Sequence, residues 1–118
     1  MFNNMKIEQL QNLKKEVEVA VKLLLGEKLR KLILYGSYAR GDFHNDSDVD
    51  FAVVTDIELE QINIFDEKLA EICLELSLKY DVVVTIILIS EKNFNGYCDI
   101  LPYYRNLVKE GIPVYGIQ

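Results

Sequence analysis

The feature that most constrains this chain is one apolar run, Asp81 to Ile89 (DVVVTIILI), in which β-branched residues dominate and Asp81 is the only charged residue. β-Branched side chains favour strands, and a strand without polar alternation is buried on both faces. The run therefore predicts a central strand of a sheet that helices cover on both sides. It is too short to span a membrane, which takes about 20 apolar residues.

Two further strands are predicted before this run. Leu32 to Tyr35 is a short apolar stretch that stops at a Gly-Ser pair, which indicates a buried strand running into a turn. Asp48 to Thr55 (DVDFAVVT) is the second strand. Because strand side chains alternate between faces, its two carboxylates, Asp48 and Asp50, are expected on the same side. The residues between these strands are numerous enough for a parallel or an antiparallel arrangement.

Three stretches repeat apolar residues at steps of three and four, the pattern of an amphipathic helix. They are Ile7 to Leu24, Ile62 to Leu76 and Ile100 to Val108, and Pro113 is expected to stop any continuation of the last one. The element order predicts the α/β (α+β) class: a small mixed β-sheet flanked by helices, in a single domain of residues 1–118. The helix between the second and third strands allows those two strands to be parallel.

Composition restricts the classes of function. The 118 residues include 13 Lys and Arg against 19 Asp and Glu, a net charge of −6. Direct nucleic-acid binding is not expected, because its affinity comes mainly from neutralising phosphates with basic residues. Cys73 and Cys98 lack metal-binding spacing, which favours a reducing compartment. The N-terminus lacks the order of a signal peptide, so we expect a cytoplasmic protein without membrane association.

Residues suited to chemistry are concentrated where the first strand ends and the second begins. At Gly36 and Ser37, backbone N–H groups and a hydroxyl can hold phosphate oxygens. Asp48 and Asp50 place two carboxylates side by side, which is unfavourable unless a cation lies between them. Mg²⁺ prefers such oxygen ligands together with substrate phosphates. A phosphate-binding turn beside a carboxylate pair predicts phosphoryl or nucleotidyl transfer.

Asp81 is a third candidate for this site. A lone carboxylate at the mouth of an apolar strand is costly to bury unless it is paired or metal-bound. We expect it to act either as a further metal ligand or as the base that takes a proton from the attacking hydroxyl. Each of these motifs alone is more often a solvated loop or turn. Their occurrence together and in this order favours a functional site.

The motif GSYARGDFHNDSDVDFAVV, followed by DVVVT, resembles the minimal nucleotidyltransferases (MNT) of the DNA polymerase β superfamily. Small bacterial and archaeal members are antitoxins of HEPN/MNT toxin–antitoxin systems. The resemblance implies the nucleotidyltransferase fold. It also implies that Gly36 and Ser37 are the phosphate-binding pair and that Asp48 and Asp50 are the metal-binding acids. Asp81 matches the third carboxylate. Arg40 matches the ARG ending of the motif, which implies a supporting or phosphate-facing role.

The resemblance further implies Mg²⁺-dependent transfer of a nucleoside monophosphate, usually AMP from ATP, to an acceptor hydroxyl. In the antitoxins this acceptor is a tyrosine of the HEPN ribonuclease toxin. We expect the acceptor surface to come from that partner protein or from a homodimer. Two alternatives stay open: a non-catalytic antitoxin that neutralises its partner by occlusion, and a subunit of a two-chain enzyme that modifies a small molecule or RNA.

Four tyrosines lie late in the chain: Tyr97, Tyr103, Tyr104 and Tyr115. Tyrosine is enriched at interfaces, but a tyrosine beside an apolar helical stripe more often packs half-buried in the core. We expect these residues to be packing residues. The sequence offers no recognisable residue that reads the nucleotide base.

Overall fold

The structure is a computed structural model that describes residues 7–44 and 47–116. Its α-helices and strands are, in chain order, α1 (Ile7–Leu25), β1 (Leu29–Tyr35), α2 (Ser37–Arg40), β2 (Val49–Thr55), α3 (Asp66–Tyr80), β3 (Val84–Ser90), α4 (Glu91–Tyr97), α5 (Pro102–Glu110) and β4 (Ile112–Tyr115). Short 3-10 helices at Gly26–Lys28 and Leu59–Phe65 precede β1 and α3. The strands form one sheet in the order β3-β2-β1-β4. β2 and β3 are parallel, whereas β1 is antiparallel to both β2 and β4. The prediction of a small mixed sheet flanked by helices is confirmed.

Side-chain alternation along β2 divides the sheet into two packed faces. Phe51 is fully buried on the face that α1 and α3 cover. Ala52 lies on the opposite face, where it packs with Phe94 of α4 and Leu107 of α5. Asp50 precedes Ala52 by two residues, so it lies on the α4 and α5 face at the start of β2.

The prediction that the third strand is central was wrong. β3 lies at an edge of the described sheet, and β1 and β2 take the central positions. The run is apolar because both of its faces are covered: Ile86 packs in the core with α1 and α3, and Ile89 packs with α4. The hydrophobic pattern of a strand depends on whether its two faces are covered. The pattern does not show whether the strand has one neighbouring strand or two.

Two elements have weak sequence signals, namely α4 and β4. In α4 only Phe94 is buried, so the helix shows no apolar repeat. β4 has four residues and contains Pro113, which was expected only to stop a helix. Proline is tolerated in an edge strand because one side of that strand needs no ladder hydrogen bonds. By pairing with β1, β4 makes β1 a central strand.

The structure also describes the two cysteines and the character of the helices. Cys73 and Cys98 are both free thiols and both partly buried, and burial raises the pKa of the Cys73 thiol. Within the described ranges, no helix has the length and apolar character needed to cross a membrane. The cytoplasmic location stays a prediction.

A hydrogen bond and an ion pair between polar side chains link α1 to α3. The Tyr80 hydroxyl donates a hydrogen bond to the Glu16 carboxylate, and Lys79 forms an ion pair with the same carboxylate at 2.9 Å. The hydrogen bonds from Tyr80 and Lys79 lower the pKa of Glu16. Burial, together with the neighbouring Glu16, raises the pKa of Tyr80 to about 12.

We expect the alkaline stability of the fold to depend on Tyr80. Its pKa in the folded state lies above the unfolded value of about 10, so its stabilisation is complete below about pH 10 and is lost as the pH rises toward the folded pKa. Tyr80→Phe should be less stable than the wild type at neutral pH, but should lose less stability between about pH 9 and about pH 12. Urea unfolding followed by circular dichroism measures this; the same loss in both proteins would contradict it.

Candidate active site

The turn after β1 is held by its own backbone and by one buried ring. Gly36 has φ 78° and ψ −157°, a conformation that is essentially restricted to glycine. The Arg40 N–H donates to the Gly36 carbonyl at 3.1 Å, which closes α2. Tyr38 is buried and stacks on Phe43 with ring centroids 4.2 Å apart. These contacts hold Ser37, the first residue of α2, at the end of β1.

Asp50 lies between this turn and β3. Its direct neighbours across the sheet are Tyr35 of β1 and Thr85 of β3. The Thr85 hydroxyl donates a hydrogen bond to Asp50 Oδ1 at 2.6 Å. The other oxygen, Oδ2, lies 2.6 Å from the position that a Cβ at Gly36 would occupy. One carboxylate oxygen is thus held by a hydroxyl, and the other faces a turn in which only glycine leaves room for it.

Asp48 is exposed and lies one residue before β2. The loop that leads to it is closed by the His44 N–H, which donates to Ser47 Oγ at 2.9 Å. Directly after Asp48, the Val49 N–H donates to a carbonyl just before β3 at 2.8 Å. The predicted phosphate-binding turn and carboxylate pair therefore lie at one end of the sheet. The Asp50 carboxylate beside the turn, with Asp48 two residues before it, offers oxygen donors of the kind that suit Mg²⁺.

Asp81 does not complete a three-carboxylate metal site with Asp48 and Asp50. It ends α3 with φ 53°, it is exposed, and its N–H donates to the Ser77 carbonyl. In the described ranges 7–44 and 47–116, no three His, Cys, Asp or Glu side chains lie close enough together to hold one metal ion. The expectation that Asp81 opens the third strand is wrong, because β3 begins at Val84. Aspartate tolerates the left-handed conformation that ends the helix.

Arg40, the last residue of α2, lies beside α5. Its Nε donates to Asp42 Oδ2 at 3.1 Å, and its Nη1 lies 3.6 Å from Glu110 Oε2. The hydrogen bond to Asp42 is the main cause of the raised pKa of the guanidinium. A phosphate at this exposed position would compete with two carboxylates for Arg40. The structure thus places Arg40 at the rim of the site, where it links the turn to α5.

One side of the site is closed by α5. Tyr103 meets Tyr35 edge to face, with ring centroids 6.0 Å apart. Burial and the neighbouring Tyr35 hydroxyl raise the pKa of Tyr103. Among the four late tyrosines, Tyr104 packs half-buried against the core as expected. Tyr103 is 43% exposed, and Tyr97 and Tyr115 are also exposed.

Residues 10–114 match the nucleotidyltransferase domain family. The chain belongs to this family. A provisionally named protein adenylyltransferase of Methanocaldococcus jannaschii is 36% identical over 101 residues, which cover 86% of this chain and 93% of that protein. The resemblance to minimal nucleotidyltransferases is confirmed, and the chain is a nucleotidyltransferase.

Two solved structures share the fold of this nucleotidyltransferase. A provisionally named minimal nucleotidyltransferase is 25% identical with a TM-score of 0.57, and the match covers 93% of this chain and 97% of that one. The second is a Shewanella oneidensis complex of a tri-AMPylated HEPN toxin with an MNT antitoxin. It matches with a TM-score of 0.57 and 19% identity over 92% of this chain and 73% of that one. This second likeness concerns the fold alone.

Thr85, whose hydroxyl contacts Asp50, could not be predicted from the sequence, because a single hydroxyl within an apolar run has no pattern of its own. We expect Thr85→Val to lower the transfer rate about tenfold or more, since a hydrogen bond to a charged group contributes about 1.5–3 kcal/mol. Thr85→Ser keeps the hydroxyl and should keep most of the activity. Single-turnover rates of the three proteins test this, with circular dichroism as the control for folding. Equal rates for the Val variant and the wild type would contradict it.

Proposed function

We propose that this nucleotidyltransferase uses Mg²⁺ to transfer AMP from ATP to a tyrosine hydroxyl of a HEPN ribonuclease toxin, and thereby acts as the antitoxin. The contact between the Gly36 turn and the Asp50 carboxylate carries the proposal, because it joins a phosphate-binding turn to a metal-binding acid. The relative named as a protein adenylyltransferase supports a protein acceptor. The complex of an AMPylated toxin with an antitoxin of the same fold supports the choice of partner.

The residues of the turn and of β2 position the donor nucleotide in this proposal. Backbone N–H groups at Gly36 and the Ser37 hydroxyl bind phosphate oxygens. Asp48 and Asp50 would hold Mg²⁺, which neutralises phosphate charge when it is bound. Thr85 restricts the rotation of the Asp50 carboxylate, so its free oxygen keeps one direction. Positioning and charge neutralisation supply most of the catalysis in phosphoryl transfer.

The transfer is one displacement at the α-phosphorus of ATP. The acceptor oxygen forms a bond to this phosphorus, the bond from the phosphorus to the oxygen that bridges to the β-phosphate breaks, and pyrophosphate leaves. The hydroxyl proton passes to water at the exposed side of Asp48. We assign no step to Asp81, because in the described ranges it forms no three-carboxylate metal site with Asp48 and Asp50. A phenol, with a pKa of about 10, releases its proton more readily than an aliphatic hydroxyl.

The partner and the setting follow from the same proposal. The chain acts in the cytoplasm with its toxin, without a membrane and without direct nucleic-acid contact, in keeping with its net charge of −6.

Intact-mass spectrometry of the product of the neighbouring gene, which we expect to be the HEPN toxin, tests the function. The protein is incubated with the nucleotidyltransferase, Mg²⁺ and each of the four nucleoside triphosphates. We expect mass gains of whole AMP units with ATP, and peptide mapping should locate them on tyrosine. A stable complex without any mass gain would reject catalysis on this partner, and would leave occlusion or a different acceptor.

Neutralisation by occlusion is the second candidate, and it is favoured by apolar surface on the α1 and α3 side. Leu23 of α1 is 83% exposed, and Leu74 and Leu78 of α3 are 62% and 75% exposed. These side chains border a groove of about 630 Å³. Occlusion requires no chemistry, so it would survive substitution of the carboxylates.

A further inference from the structure

A cavity of about 200 Å³ opens between the Gly36 turn and α5. Its polar and aromatic lining comes from both sides and consists of Tyr35, Gly36, Arg40, Tyr103, Asn106 and Glu110. We infer that this cavity binds the adenine base of the donor nucleotide, with Tyr103 as the stacking surface and Asn106 as the residue that selects adenine. The inference rests on the proposed function, since it concerns the nucleotide bound at the same site.

The cavity is continuous with the phosphate-binding turn. Gly36 lines the cavity and also faces Asp50 Oδ2. The other neighbour of Asp50 is Thr85, on the β3 side of the carboxylate. A nucleotide with its phosphates on the turn therefore places its base next to α5. The β3 side of Asp50 is left for the acceptor.

Tyr103 provides a ring on which a base can stack. Its ring stands at 89° to that of Tyr35, and 43% of the residue is exposed. The contact with Tyr35 orients the ring before a ligand arrives, which lowers the entropic cost of binding. Stacking on such rings is a common mode of base recognition and depends little on which base is present.

Asn106 provides the selectivity that stacking lacks. It follows Tyr103 by three residues on α5, so both side chains lie on the same helical face. Its amide has a donor and an acceptor, which match the N6 donor and N7 acceptor of adenine. Guanine presents two acceptors at the same edge. The acceptor tyrosine of the partner is the other aromatic group that could occupy the cavity. Its hydroxyl reacts at the α-phosphorus, so it would leave no polar group for Asn106 to bind.

Calorimetric titrations in the presence of Mg²⁺ test this inference. The ligands are ATP, GTP, CTP, UTP and inorganic tripolyphosphate, and the proteins are the wild type, Tyr103→Ala, Tyr103→Phe and Asn106→Ala. Tyr97→Ala is the matched control, because Tyr97 is an exposed tyrosine of α4 that does not line the cavity. Melting curves confirm that each variant is folded.

We expect the wild type to bind ATP more tightly than tripolyphosphate and the other nucleotides. Tyr103→Ala should weaken ATP binding roughly tenfold or more and leave tripolyphosphate unchanged. Tyr103→Phe and Tyr97→Ala should resemble the wild type, and Asn106→Ala should bring ATP and GTP to similar affinities.

Two results would overturn the base site while the proposed function stands. They are equal affinity of the wild type for ATP and tripolyphosphate, and unchanged ATP binding by Tyr103→Ala. In the second case, a raised KM of this variant for the toxin, measured from the rate of its mass gain, would assign the cavity to the acceptor. A preference for GTP would overturn the role of Asn106. Failure of the wild type to bind any triphosphate would overturn the proposed function itself.

Discussion

Replacing Asp48 and Asp50 together by Asn should reduce AMP transfer about a thousandfold or more, while the fold and the complex with the toxin persist. Charge neutralisation at the phosphates contributes several kcal/mol to phosphoryl transfer, and each 1.4 kcal/mol corresponds to about a tenfold change in rate. Asparagine has nearly the shape of aspartate, and its amide oxygen can still accept the hydrogen bond from Thr85. The loss should therefore appear in the chemistry rather than in stability.

Asp99→Asn is the matched control, because it removes one negative charge at an exposed position after α4. The toxin's mass gain reports transfer, and size-exclusion chromatography reports the complex. Survival of cells that express both proteins then separates the two candidate functions. If the double variant protects cells as well as the wild type does, occlusion rather than catalysis neutralises the toxin.

Gly36→Ala should also abolish transfer, and it should lower the melting temperature. The new Cβ would lie 2.6 Å from Asp50 Oδ2, so the carboxylate or the turn must move. The backbone conformation of Gly36, with φ 78° and ψ −157°, is itself unfavourable for alanine. A residue held in this region costs about 1–3 kcal/mol, which corresponds to a loss of several degrees in the melting temperature.

Gly26→Ala is the control that distinguishes the effect of backbone strain from the effect of the contact with Asp50. Gly26 also has a positive φ of 57°, but no atom lies within 4 Å of the Cβ that would be added there. This variant should lose stability and keep its activity, because it lies between α1 and β1, away from the site. Full activity of folded Gly36→Ala would show that the close approach of the turn to Asp50 is not required.

Much of the secondary structure and part of the site could be predicted from local patterns. The apolar repeats of α1 and α3 and the alternation along β2 appear in the sequence because one-sided burial imposes its own period. The pair Gly36-Ser37 and the carboxylates Asp48 and Asp50 were recognisable because a phosphate turn and a metal pair need particular residue types close together. Their roles at the site stay predictions that the two variants above test.

The position of Asp81 could not be predicted from local pattern. Its place before an apolar run suggested the mouth of a strand, yet in the structure it caps α3. The residue beside Asp50 on β3 is Thr85, whose hydroxyl had no special pattern in the sequence. Strand register decides which side chains become neighbours, and register depends on pairing with a distant segment rather than on local residue types.

By itself, the sequence determined the family, the turn and the carboxylate pair, and a sheet covered on both faces, because each of these follows from residue types within one short segment or one periodic stretch. Only the tertiary structure decided the edge position of β3, the added strand β4, the contact of Thr85 with Asp50 and the approach of Tyr103 and Asn106 to the turn. Each of these depends on packing between segments that are far apart in the chain, and that packing is selected by the burial of the whole core rather than by local preference.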